Sequence, residues 1–186
     1  GMGRSAMFMR DRHKNIAKLI ACFVVLTTTL SLKAQTPQLG NLLEPAALNG
    51  FDLIAAPDGS GLPVGSGTAS QGKLVYETQC QVCHGEKGEG NGSANRLVGG
   101  NMQSDDAPIR TVGSFWPHAT TLFDYVRRAM PATAPKSLSN TEVYQVIAYI
   151  LHMNGLVGLN ETIDRRSLLQ IEMPNSEGFI DNSNIR

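Results

Sequence analysis

Two cysteines separated by two residues, with a histidine directly behind the second, Cys80-Gln81-Val82-Cys83-His84, constrain this chain more than any other stretch of its 186 residues. At that spacing two thiols can add across the two vinyl groups of one haem while the adjacent imidazole reaches the iron from one side. Three other readings compete. A zinc site needs four ligands, and past the N-terminal segment only His118 and His152 remain to join the two thiolates and His84, at no recognisable spacing. A thioredoxin-like redox pair follows a strand and opens a helix, whereas this pair closes a helical pattern. A disulfide between cysteines three apart closes too small a loop to stabilise much. Covalently attached haem c, one per chain through Cys80 and Cys83, is the expectation.

Such attachment takes place outside the cytoplasm, and the N-terminus reads as an export address. A basic stretch through Lys18 precedes the mostly apolar run Leu19 to Leu32 and then Lys33-Ala34-Gln35, the three-part layout of a secretory signal peptide. Cleavage is expected after Ala34, giving a signal peptide over 1–34 and a periplasmic protein. As a helix the apolar run spans about 21 Å, short of the ~30 Å hydrocarbon core, so no stable membrane span is expected after cleavage. The whole chain balances 16 basic against 16 acidic residues, but six of the basic ones and only one acidic residue lie before position 35, which leaves a net −5 beyond it. That charge excludes binding to nucleic acid, which needs clustered cations.

Residues 70–155 read as an all-α core. Ser70 through Cys80 forms a first helix capped by Ser70, with an apolar side including Leu74 and Val75, and delivers the cysteines to the haem. Six glycines between Gly85 and Gly100 imply a wrapping loop. Thr121 to Ala129 fits a second helix, stopped by Pro131. The clearest helix opens with the capping box Ser139-Asn140-Thr141-Glu142 and places Val143, Val146, Ile147, Ile150 and Leu151 on one buried face before Gly155. Strand signals are weak. The flanks, an N-terminal extension over 35–69 and a C-terminal extension over 156–186, are too rich in Gly and Pro for another domain. Leu39, Leu42, Leu43, Leu48, Phe51, Leu53 and Ile54 in the first, and Leu168, Leu169, Ile171 and Phe179 in the second, are expected to pack on the core.

What fills the second axial position of the iron decides the function. Met130 is the first candidate, because it stands between a helix end and the rigid Pro131 to Pro135 loop that can aim a side chain. The competing reading is a methionine used as core filler. Met102, Met153 and Met173 are alternatives, Met173 the strongest because it too precedes a proline. His118 or His152 as a second imidazole would lower the potential, where a thioether raises it.

These residues resemble a known family. A first helix ending in the attachment site, a loop, a Met-Pro element and a last helix whose Tyr149 should cross the first near Gly72 are similar to class I c-type cytochromes. A closer likeness runs from about Leu39 to Phe179. Pro57-Asp58-Gly59-Ser60-Gly61-Leu62-Pro63, Arg96-Leu97-Val98-Gly99-Gly100, Thr111-Val112-Gly113-Ser114-Phe115-Trp116-Pro117 and Leu122 through Pro131 resemble the monohaem cytochrome subunits of molybdenum sulfite and sulfane dehydrogenases, as does Met173-Pro174-Asn175 with Gly178-Phe179. The resemblance implies the class I cytochrome c fold, with His84 and Met130 as axial metal ligands. It also implies two redox partners, a molybdenum-cofactor dehydrogenase subunit as donor and a downstream cytochrome as acceptor. One departure is that no proline follows Cys83-His84-Gly85 closely, where class I cytochromes supply a backbone carbonyl to the ligand imidazole.

The expected function is therefore electron transfer, with no catalysis by this chain alone. The alternatives are a diffusible periplasmic carrier for another dehydrogenase, and a ligand-binding haem protein with an open or displaceable sixth site. Arg96, Arg127 and Arg128 are candidates to pair with the haem propionates, and the Trp116 indole N–H to donate to one, against the plainer reading of each arginine as a solvated surface residue.

Overall fold

The computed structural model describes residues 40, 42–48, 51, 53–92, 96–105 and 107–180. The expected signal peptide and Leu39 lie outside the described residues. The chain separates into residues 1–43 and a second unit from residue 44 onward. In chain order the second unit holds α1 (Pro45–Leu48), β1 (Ser66–Gly67), α2 (Ala69–Gln79), α3 (Gln81–His84), α4 (Val112–Phe115), α5 (Ala119–Ala129), α6 (Asn140–Met153), β2 (Ile163–Asp164) and a 3-10 turn, Ser167–Gln170.

Helix α2 starts earlier than the Ser70 cap implies. Thr68 has extended backbone, its hydroxyl accepts from the Gln71 amide at 3.3 Å, and Gln71 Oε1 accepts from the Thr68 amide at 3.0 Å, a reciprocal capping box. Ser70 lies inside the first turn, its amide bonded to the Leu159 carbonyl. The buried face is Ala69, Gly72 and Tyr76, spaced three and four apart. Leu74 points away from it and is 67% exposed, so the apolar side expected there is corrected; Val75 is half-buried.

Helix α6 forms with the expected cap and face. The Ser139 hydroxyl accepts from the Glu142 amide, Glu142 Oε2 accepts from the Ser139 amide at 2.8 Å, and all five expected apolar residues are buried together with Tyr144 and Ala148. It crosses α2 at Gly72: a Cβ there would stand 1.8 Å from the Gln145 carbonyl oxygen and 3.0 Å from Tyr149 Cβ. Only glycine allows that approach. The rings of Tyr76 and Tyr149 meet at 5.3 Å beside it.

Helix α5 begins at Ala119, two residues before the expected start, with His118 as a cap that makes no side-chain capping bond. Phe123 packs on Tyr144 of α6 at 4.6 Å between centroids. The two-residue strands pair antiparallel, Ser66 with Asp164 and Gly67 with Ile163, and so join the two flanks. The flanks pack unevenly. Ala55 and Leu62 of the first, and Val157, Ile163, Leu168 and Met173 of the second, are in the core. Leu48, Phe51 and Ile54 are exposed, as are Leu169 and Phe179, although Phe179 stacks on Phe115 at 5.2 Å. The first flank turns back on itself where the Ala56 amide donates to the Ser60 carbonyl and the Gly59 amide to the Ala56 carbonyl.

Candidate haem site

Cys80 is the last cap of α2 and the first of α3, and its carbonyl accepts from the amides of Cys83 at 3.1 Å and His84 at 2.9 Å. The short helix therefore turns Cys80, Cys83 and His84 around one point. The two cysteines are not bonded to each other. Burial, reinforced by the neighbouring Cys83, pushes the Cys80 thiol up to about 11. The chain then reverses at Gly85, φ +84. The Tyr76 hydroxyl donates to the Gly85 carbonyl at 2.8 Å, the Gly90 amide to the His84 carbonyl at 2.7 Å, and the Asn91 side chain to the Val82 carbonyl. Burial raises the Tyr76 phenol well above its ordinary value, so it stays a neutral donor.

Met130 caps α5, its amide bonded to the Val126 carbonyl at 3.1 Å, and Pro131 is buried behind it. Met130 lines the same cavity as Cys80, Cys83 and His84, a space of about 390 Å³. Its walls are largely apolar, from Leu97, Val112, Leu122, Val126, Leu138, Val146 and Ile150, with Trp116 and Tyr125 meeting edge to face at 5.7 Å, and the polar residues Gln79, Thr111 and Thr133 and two arginines also line it. No carboxylate is among the described residues that line it.

The competing ligands lie elsewhere. Met102, Met153 and Met173 do not line the cavity, and Met173 is buried in the core. His118 is exposed ahead of α5, and His152 Nδ1 lies 2.9 Å from the Val157 carbonyl. Among the described residues no three His, Cys, Asp or Glu side chains gather as a metal cluster, which leaves the zinc reading without a site.

Of the arginines considered for the propionates, Arg96 lines the cavity. Arg127 and Arg128 do not. Arg127 Nη1 donates to the Leu53 and Gly61 carbonyls, and Arg128 forms an ion pair with Asp124 through Nε at 2.8 Å. The sequence reading missed Arg110, which lines the cavity with its guanidinium 5.0 Å from the Phe115 centroid. A lone arginine in an irregular loop has no periodic signal; its position follows from the α4 cap, where Thr111 bonds Ser114 and the Gly99 carbonyl.

Two thiols, an imidazole and a thioether around an apolar space with arginines among its lining residues match what a covalently attached haem needs: linkages, axial ligands, a dry ring site and partners for two carboxylates.

Residues 67–150 match the family described as cytochrome c oxidase, cbb3-type, subunit III. A chain in the crystal structure of the sulfane dehydrogenase SoxCD from Paracoccus pantotrophus superposes with a TM-score of 0.74 and 35% identity, over 81% of this chain and 75% of that one. A thiosulfate dehydrogenase of Stutzerimonas stutzeri (strain A1501) is 28% identical over 88 residues, 47% of this chain; the chain thus spans 28% of the length of that relative. No helix among the described residues is long and apolar enough to cross a membrane. With the crossing at Gly72 and the helix-dominated architecture, these likenesses identify the chain as a class I c-type cytochrome, a haem c electron-transfer protein that resembles a chain of the sulfane dehydrogenase SoxCD.

Proposed function

We propose that this chain is an exported monohaem electron-transfer subunit that takes electrons from a molybdenum-dependent sulfite or sulfane dehydrogenase in the periplasm and passes them to a soluble cytochrome. The observation that carries the reading is the convergence of Cys80, Cys83, His84 and Met130 on one apolar cavity. Cys80 and Cys83 would hold the haem by thioether bonds, and His84 and Met130 would be the side chains that bind its iron. Haem iron ligated in this way supplies one-electron redox chemistry. A thioether from Met130 would raise the potential of the bound iron, and the largely apolar walls would keep water from the ring. The likeness to a sulfane dehydrogenase structure supports the choice of donor.

The test is made on holoprotein. Alkaline pyridine should give the spectrum of thioether-linked haem, and Cys80→Ala with Cys83→Ala should abolish covalent attachment. Met130→Ala should lose the thioether-ligated spectrum, lower the potential and make the reduced protein bind CO. An unchanged spectrum and potential in Met130→Ala would overturn the ligand assignment. Failure of a co-expressed molybdenum dehydrogenase to reduce the wild-type protein with sulfur substrates would overturn the donor assignment.

A further inference from the structure

Residues 53–63 of the N-terminal extension run as a strap along α5, and the bonds holding them there share one design. Thr120, Asp124 and Arg127 stand four and three residues apart, on one face of the helix. The Thr120 hydroxyl donates to the Pro57 carbonyl at 3.2 Å, Asp124 Oδ1 accepts from the Ala55 amide at 2.9 Å, and Arg127 Nη1 donates to the Leu53 and Gly61 carbonyls at 3.1 and 3.3 Å. In each of these bonds the partner is a backbone group. The strap is itself stiffened: Asp58 Oδ1 accepts from the Ser60 amide and hydroxyl, and a Cβ on Gly61 would stand 1.9 Å from the Ile54 carbonyl oxygen. Its far end is tied to α6, where the Tyr144 hydroxyl donates to the Pro63 carbonyl at 3.0 Å.

Another face of α5 carries Leu122 and Val126, which line the haem cavity, and the last turn of the helix holds the Met130 amide. The helix thus has the strap on one side and the cavity on another, with the ligand at its end. A tilt of α5 too small to unfold anything would displace the Met130 sulfur, and charge-assisted bonds to backbone are strong enough to oppose it.

We propose that Thr120, Asp124 and Arg127 are positioning residues for the sixth ligand: by clamping the strap they fix α5 and with it Met130. The inference rests on the ligand assignment proposed above and extends it to residues outside the cavity.

The test uses ferric holoprotein and added imidazole, which competes with Met130 for the iron. Thr120→Val keeps shape and removes one bond; Arg127→Met keeps the stem and removes two. Each should raise imidazole affinity, about tenfold for Arg127→Met, at a temperature where the protein stays folded. Ser139→Ala serves as the control, since Ser139 caps α6 through Glu142 and itself makes no bond to the strap, and should leave imidazole affinity at the wild-type value. Wild-type affinity in both Thr120→Val and Arg127→Met, or an equal rise in Ser139→Ala, would overturn the proposal. Equal imidazole binding by wild type and Met130→Ala would instead overturn the ligand assignment, and this inference with it. The two failures are therefore distinguishable.

Discussion

Gly72 shows how much one position can decide. The Cβ of Gly72→Ala would meet a backbone carbonyl, which cannot rotate aside, so helices α2 and α6 must move apart. Overpacking of this kind costs about 1–3 kcal/mol, and urea unfolding of the holoprotein should show it, whereas Leu74→Ala, on the exposed side of the same helix, should stay within about 0.5 kcal/mol of wild type. Tyr76→Phe keeps the ring against Tyr149 but removes the donor to the Gly85 carbonyl, and should cost about 1 kcal/mol in the same assay. The sequence reading placed the crossing at Gly72 through the resemblance to class I c-type cytochromes, and singled out Cys80, Cys83, His84 and Met130 because each belongs to a local pattern, fixed spacing or a proline next door; the structure brings those four to one cavity. Arg110 belongs to none, and Arg127 and Arg128, weighed between propionate partners and solvated surface residues, bond to the Leu53 and Gly61 carbonyls and to Asp124, which two adjacent arginines at a helix end do not reveal in sequence.

At the scale of elements, capping chemistry sets the helix starts. Removing the Ser139 hydroxyl in Ser139→Ala should cost about 1 kcal/mol, and Thr68→Ala about the same, while Ser70→Ala should be nearly neutral. Thermal unfolding of the three variants separates the two possible caps of α2 directly. Both Thr68 and Ser70 are good capping residues, and what selects Thr68 is Gln71 three positions on, a signal present in the sequence but outweighed in the reading by the nearer serine. Helix α6 was legible from end to end because its cap and its apolar period agree. The start of α5 was not, since His118 makes no capping bond and no nearby residue marks the boundary. The strap was the least legible element. Its affinity for α5 runs through backbone groups, which no side-chain pattern in 53–63 reports, and the apolar residues that suggested packing, such as Ile54, are turned outward.

Across the whole molecule the same economy of side chain to backbone bonding sets the response to acid. Asp58, Glu89, Asp124, Glu142 and Asp164 all have pKa values below the ordinary 3.8 for Asp or 4.5 for Glu. In Asp124 the main cause is the bond from Arg128; in Glu142 it is the Ser139 hydroxyl; in Asp58, Glu89 and Asp164 it is backbone amides. A carboxyl group depressed on folding stabilises the native state above its unfolded pKa and loses that contribution as pH falls through the folded one. All five act in the same direction, so the free energy of unfolding should begin to drop as pH passes below about 4.5 and continue to fall below about 3.8. Because most of these bonds are short-range and made to amides, about 1 M salt should shift the profile little, since screening acts on charges separated by more than the ~3 Å Debye length at that strength. Asp124→Asn removes one titrating group and should flatten the slope without moving the onset set by the glutamates. Denaturant titrations of holoprotein from neutral pH to about pH 3 test this, with tryptophan fluorescence following the fold through Trp116. A profile flat to the acid end would mean that these carboxylates are no better placed in the folded chain than in the unfolded one.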